Sequence, residues 1–216
     1  MMLDHSCQVQ RAPLADRKDD LYETPSEAVH ALLRVEKLPH HIWEPACGSG
    51  KIVGVLRAAG HTVWATDLVD YGCPNSEPRI DFLLERQTMI DVEAIVTNPP
   101  FKLAEQFVEH ALKLCPRVVM LLRLAFLESE RRRGIIDTGH LARVHVFRKR
   151  LPMMHRSGWE GRKANSGMAF AWFCWDRHHR GPTELRRLSW KTAEPATTES
   201  QWDSMWSKPY RESAGA

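Results

Sequence analysis

Asn98, Pro99, Pro100 and Phe101 close a short apolar run, "VEAIVTNPPF", and their types in that order suit chemistry on a flat amine. The Asn98 side-chain oxygen and the Pro99 carbonyl both accept hydrogen bonds, so one –NH2 group can be gripped twice. Prolines fix φ and carry no N–H, which holds the neighbouring carbonyls outward. The Phe101 ring offers a face for a planar base, and such stacking contributes about 1–3 kcal/mol. An exocyclic amine is a poor nucleophile because its lone pair is delocalised into the ring. Two acceptors on its hydrogens favour a pyramidal nitrogen and free that lone pair. Orientation and electrostatics then supply the rate, with no metal required. The structural alternative is a proline-rich loop after a buried strand, with Phe101 packed inward.

A second constellation precedes it. "EPACGSGK" (residues 44–51) carries glycines at 48 and 50. Glycine lets the backbone approach a ligand, and a helix that follows offers free N–H groups. Three ligand classes compete for such a turn. A phosphate-binding P-loop needs a glycine where Pro45 stands and Ser or Thr where Ile52 stands, so it fails. A dinucleotide turn wants a third glycine where Val53 stands, which weakens it. S-adenosylmethionine has no pyrophosphate and needs only a close turn and an acid for its ribose. Asp67 ends the next apolar run, 17 residues after Gly50, and is placed to accept from ribose hydroxyls. An ordinary strand–helix turn beside a surface aspartate is the alternative.

The elements that position these residues follow from the pattern of the chain. In "ETPSEAVHALLRVEKL", Thr24, Pro25 and Glu27 suit a capping box, and Ala28, Leu32, Leu33 and Val35 recur near helical spacing. "HHIWE" is a strand running into the glycine turn, and "KIVGVLRAAG" a helix stopped by Gly60. "HTVWATD", "RIDFLL" and "VEAIVT" are further strands. "KLAEQFVEHALKL" is amphipathic, with Leu103, Phe107, Ala111 and Leu114 on one stripe. "RVVMLLRLAFL" has the continuous apolar character of a central strand. "LARVHVFRKR" and "GMAFAWFCWD" are strands around the loop "LPMMHRSGWEGRKANS". Alternation of strand and helix predicts an α/β fold with a parallel sheet, whose ligands sit at the carboxyl ends of the strands. The unusual residues fall at those ends: Glu44 to Gly50, Asp67, Asp81-Phe82 and Asn98 to Phe101.

With these motifs the chain resembles the S-adenosylmethionine-dependent N6-adenine DNA methyltransferases, in the order that places the cofactor motif first, and small phage-type members most of all. The resemblance spans Tyr22 to Asp176 and includes "YETP", "EPACGSG", "DF" at Asp81-Phe82, "NPPF", "MLLRLAFLE" and "AFAWFCW". It implies a Rossmann-like methyltransferase fold: a seven-stranded, mostly parallel sheet, helices on both faces and an antiparallel last strand. It also implies S-adenosylmethionine as cofactor, held by Thr24, Glu44, Pro45, Gly48, Gly50 and Asp67. Asp81 would accept from the donor's adenine amine, and Phe82 would pack on that base. Asn98, Pro99, Pro100 and Phe101 would be catalytic. Larger members carry a separate target-recognition domain, for which no segment here is long enough. The "NPPF" motif also occurs in ribosomal RNA methyltransferases, and related motifs in protein glutamine methyltransferases. RNA adenine and a glutamine side-chain amide therefore stand as alternative substrates beside DNA adenine.

Charge bears on the partner. The 216 residues carry a net charge of +3, yet Arg117 to Lys191 hold 17 Lys and Arg against 6 Asp and Glu. That surplus of 11 leaves a deficit of 8 on the rest, and a basic half suits a polyanion such as DNA. An adenine within a duplex has to be flipped out to be methylated. His155, Arg156, Trp159, Arg162 and Lys163 in "HRSGWEGRKANSG" are candidates for strand contacts, with Arg131–Arg133 and Arg148–Arg150 as additions. The histidine pairs His40/His41 and His178/His179 lack a third ligand at useful spacing, so no metal is expected. Five cysteines, none in a CxxC pair, fit a reducing cytoplasm. No apolar run reaches the ~20 residues that span a bilayer, and no signal peptide is evident. The expected organisation is a flexible arm over 1–20, a methyltransferase domain over 21–191 and a disordered tail over 192–216.

Overall fold

The computed structural model describes residues 22–89, 91–152 and 167–191. The arm at 1–20 and the tail at 192–216 lie outside these residues. Among the described residues eight strands form one sheet: β1 (His41–Glu44), β2 (Thr62–Asp67), β3 (Glu77–Pro78), β4 (Ala94–Thr97), β5 (Arg117–Arg123), β6 (Leu141–Phe147), β7 (Phe170–Asp176) and β8 (Glu184–Leu188). Their order across the sheet is β3-β2-β1-β4-β5-β7-β6-β8. All neighbours pair in parallel except β7, which runs antiparallel to both β5 and β6. Four α-helices accompany the sheet: α1 (Ser26–Leu33), α2 (Lys51–Ala58), α3 (Ala104–Leu114) and α4 (Arg133–Ile136). No helix among the described residues is long and apolar enough to cross a membrane.

Side-chain alternation splits the core into two layers. Val119 and Leu121 of β5 and Trp172 and Cys174 of β7 face the layer of α1 and α2. Val118, Met120 and Leu122, with Ala171, Phe173 and Trp175, face the layer of α3 and α4. A strand buried on both faces has no polar side, which is why β5 and β7 are near-continuous apolar runs. Buried indoles find acceptors: Trp172 donates to the Ala28 carbonyl at 3.0 Å and Trp175 to the Ile135 carbonyl at 3.1 Å. Trp43 donates to Thr66 Oγ1 at 2.9 Å.

The fold class is as the sequence predicts, with five local differences among the described residues. The sheet has eight strands instead of seven, and the antiparallel strand is not the last: β8 follows it and pairs in parallel with β6. The strand expected in "RIDFLL" lies earlier, at Glu77–Pro78, because Asp81 caps a 3-10 turn over Phe82–Leu84 by accepting from the Leu83 N–H at 3.0 Å. Helix α1 starts at Ser26 behind Pro25 with no side-chain cap, so Thr24 is not part of a capping box. The buried stripe of α3 is Ala104, Phe107, Val108 and Ala111, whereas Leu103 turns outward.

Candidate active site

Strand order reverses beside β1: β2 lies on one side of it and β4 on the other. A cleft opens where the chain leaves such a switch point. Here its walls are the turn after β1 and the Asn-Pro-Pro segment after β4. The cleft is open to solvent and encloses about 70 Å3, so it is a shallow site and not a closed small-molecule cavity of ~300–1,000 Å3. Thr24, Gly48, Asp67, Asn98, Pro99 and Pro100 line it, all singled out by the sequence. Tyr22, Glu23, Ser49, Lys51 and Tyr71 line it too and were not.

The turn is held from several sides. Gly48 has φ +51° and its N–H donates to Asp67 Oδ2 at 2.8 Å, so the acid that ends β2 ties down the turn that ends β1. The other Asp67 oxygen accepts from the Val69 N–H at 3.0 Å. Gly50, at φ +86°, caps α2. A Cβ there would come within 2.7 Å of Cys73 Sγ, so glycine is required by the neighbouring loop. Ligand approach, the role read from the sequence, is not its evident reason, and Gly50 does not line the cleft.

Glu44 and Pro45 are buried at the base of the turn and also do not line the cleft. Glu44 Oε1 accepts from the Thr97 hydroxyl at 2.5 Å and from the Ala46 N–H at 3.3 Å, which couples β1 to β4 directly below Asn98. Burial pushes the Glu44 pKa well above the usual carboxylate range; those two hydrogen bonds oppose the shift and the charge of Asp67 adds to it. Glu44 Oε2 is buried without a hydrogen-bond partner among the described residues.

Asn98 Nδ2 donates to the Tyr22 carbonyl at 2.9 Å, which fixes the amide's orientation. Its Oδ1 is buried and has no hydrogen-bond partner among the described residues. A buried acceptor left open in this way costs about 1–3 kcal/mol unless a ligand or water completes it. The segment 22–24 therefore belongs to the site: Tyr22 orients Asn98, Glu23 accepts from the Ser49 hydroxyl at 2.5 Å, and Thr24 lines the wall.

Three expected residues lie elsewhere. Phe82 is 2% exposed in the α3 core layer, packed edge-on to Trp43 at 5.1 Å and against Phe107 at 4.8 Å. Asp81 beside it caps the 3-10 turn. Neither lines the cleft. Phe101 is half-buried on the far side of Tyr22, with ring centroids 4.4 Å apart, and Arg123 Cζ lies 4.4 Å from its centroid. The open stacking face expected for Phe101 is thus already in contact with a tyrosine and a guanidinium.

His155, Arg156, Trp159, Arg162 and Lys163 lie outside the described residues. Of the other basic runs, Arg131 and Arg132 both pair with Glu105, and Arg132 also donates to the carbonyls of Phe126 and Glu128 at 3.1 and 3.0 Å. Arg117 and Arg143 pair with Glu36. Part of the basic surplus is therefore spent on internal structure. Glu36, His145 and Cys174 place three ligand-type atoms within 4.8 Å of one another. Two guanidinium groups already meet the acid's charge, and burial pushes the Cys174 thiol up, away from the thiolate a metal requires.

No family model and no curated protein matches the chain. Solved structures do match in shape. A type I restriction-modification methyltransferase subunit from Streptococcus thermophilus superposes with a TM-score of 0.52 at 12% identity, over 86% of this chain and 52% of that one. A protein assigned as a class I S-adenosylmethionine-dependent methyltransferase from Listeria monocytogenes gives 0.53 at 12% identity, over 83% and 66%. A protein assigned as an RNA methyltransferase from Pyrococcus horikoshii gives 0.55 at 13% identity, over 77% and 91%. The chain thus spans about half the length of the restriction subunit. At these identities the likeness is one of fold: the mostly parallel sheet with one antiparallel strand is the architecture of S-adenosylmethionine-dependent methyltransferases.

Proposed function

We propose that the chain is a DNA methyltransferase that moves a methyl group from S-adenosylmethionine to the N6 amine of a flipped-out adenine. The observation that carries this reading is Asn98: a buried, oriented amide oxygen without a protein partner, in the same cleft as the glycine turn. The residues present fit the donor. The turn at Gly48 and the Asp67 carboxylate sit on one wall, Thr24 on another, and the first turn of α2 opens beside Lys51. When bound, the donor supplies an electrophilic sulfonium methyl.

The chain's own residues do the rest. Asn98 Oδ1 and the Pro99 carbonyl accept the two amine hydrogens and hold the nitrogen pyramidal, with its lone pair available. The rigid Pro99-Pro100 pair keeps these acceptors from relaxing away as charge develops, the preorganisation that dominates electrostatic catalysis. Tyr22 sets which end of the Asn98 amide faces the amine. Glu44 and Thr97 brace the strand end below.

A second reading, the same chemistry on RNA, is favoured by the Pyrococcus structure, which is matched over 91% of its length. Transfer of a tritiated methyl group to duplex DNA, single-stranded DNA, RNA and protein in parallel tests both. Label is expected in DNA adenine, and Asn98→Ala is expected to lower the rate about 10²–10³-fold. Label in RNA alone selects the second reading. Label in protein alone, or full activity in Asn98→Ala, overturns the proposal.

A further inference from the structure

Arg117 and Arg123 begin and end β5, and their surroundings are opposite. Arg117 pairs with Glu36 at 3.2 Å. Arg123 has no acidic partner and no hydrogen-bond acceptor among the described residues, and its Nε is buried without a partner. Its guanidinium lies over the Phe101 ring. A half-buried guanidinium is costly to desolvate, and a ring face offsets only part of that cost. Such a group is poised to take an anion.

The other groups against Phe101 are anchored. Phe170 is 4% exposed within β7, with its ring 5.5 Å from that of Phe101. Tyr22 is tied to Asn98 through its carbonyl. Arg123 is the contact held by no hydrogen bond, and its planar head covers the ring as a planar base would. We infer that Arg123 is a phosphate-binding residue for the substrate strand: its guanidinium rests on Phe101 in the free protein and passes to a phosphodiester beside the target nucleotide when a base takes its place on the ring. The inference rests on the nucleic-acid reading above. Arginine suits this exchange because its planar fork both stacks on rings and binds phosphate bidentately.

The test is binding of the full chain to fluorescently labelled duplex and single-stranded DNA, by anisotropy, across a series of KCl concentrations. Arg123→Gln keeps a planar head and removes the charge. It is expected to weaken binding about tenfold at low salt and to make the log–log salt dependence shallower by about one. Arg123→Lys restores the slope but not the full affinity, and thermal unfolding midpoints of both variants check that the fold persists. An unchanged slope in Arg123→Gln, with wild-type binding intact, overturns the inference and leaves the nucleic-acid reading standing. Failure of the wild type to bind any strand overturns both. Calorimetry with S-adenosylhomocysteine separates the remaining anion source: weaker binding of that ligand in Arg123→Gln, with the DNA slope unchanged, assigns Arg123 to the amino-acid carboxylate and rejects the strand.

Discussion

Two glutamates are buried among the described residues, and they are treated in opposite ways. Glu36, 5% exposed, receives Arg143, Arg117 and His145, the last at 2.7 Å. Burial works to raise its pKa, but the hydrogen bonds and charges of His145 and Arg143 outweigh that and hold it at about 2. Glu44, 0% exposed, receives a hydroxyl and an amide N–H but no cation, and its pKa is raised. The Glu36 cluster joins the loop after α1 to β5 and β6 and leaves both carboxylate oxygens engaged, its one open buried atom being His145 Nδ1 on the far side of the imidazole. The Glu44 corner ends in open acceptors, Glu44 Oε2 and Asn98 Oδ1. A carboxylate with both oxygens engaged stabilises a fold, while open acceptors beside a cleft mark where a ligand completes the structure.

The largest stability effect is expected at the Glu36 carboxylate. Glu36→Gln leaves two guanidinium groups and a buried imidazole facing an uncharged amide. Removing one member of a buried charge network costs about 3 kcal/mol, the lower end of the usual range because Arg117 and Arg143 retain some solvent contact. Urea unfolding at neutral pH measures it; a loss below about 1 kcal/mol would place Glu36 among ordinary surface pairs. The pH dependence has a definite sign. A lowered carboxylate pKa means that the unfolded chain binds the proton first, so the stabilisation is full above the ordinary value of 4.5 and fades as pH falls towards about 2. Glu36→Gln is expected to lack that acid limb.

On the cleft side the next effect is Gly50→Ala. The positive φ costs about 1–2 kcal/mol for a residue with a Cβ, and the clash with Cys73 Sγ adds to it. If packing against Cys73 is the reason for glycine, the double variant Gly50→Ala/Cys73→Ala recovers about 1 kcal/mol of the loss. Additive losses in the two single variants would leave the positive φ alone as the reason for glycine.

How legible these regions were in the sequence differs for a physical reason. The cleft was legible because its parts are local: a glycine turn, an acid at a strand end and Asn98-Pro99-Pro100 each announce themselves within a few residues. The apolar runs of β1, β2, β4, β5, β6 and β7 were legible for the same reason. The Glu36 network was not, since its partners lie 81 to 109 positions away and each looks like a surface charge on its own. Strands β3 and β8 bury almost nothing, and only backbone pairing defines them, so no hydrophobic period betrays them. Phe82 and Arg123 failed to declare themselves because an aromatic or a cation at a strand exit has the same appearance whether it meets a ligand or the core. Tyr22 acts through its carbonyl, which no side-chain pattern reports.

The smallest and sharpest test sets the two glutamates against each other. For Glu44 the folded protein holds its proton to higher pH than the unfolded chain does. Stability contributed at this site is therefore present below the ordinary value of 4.5 and is lost as pH rises towards the raised value of the folded state, the reverse of Glu36. Glu44→Gln keeps an acceptor for the Thr97 hydroxyl and the Ala46 N–H but does not titrate. Its unfolding free energy relative to wild type is expected to be near zero in mild acid and to become favourable with increasing pH, read from urea midpoints at matched ionic strength. Both proteins carry the Glu36 transition, so it cancels in the difference and the residual slope belongs to Glu44. Parallel pH profiles would mean that Glu44 ionises in place, with water reaching its second oxygen, and its carboxylate would then be as fully engaged as that of Glu36.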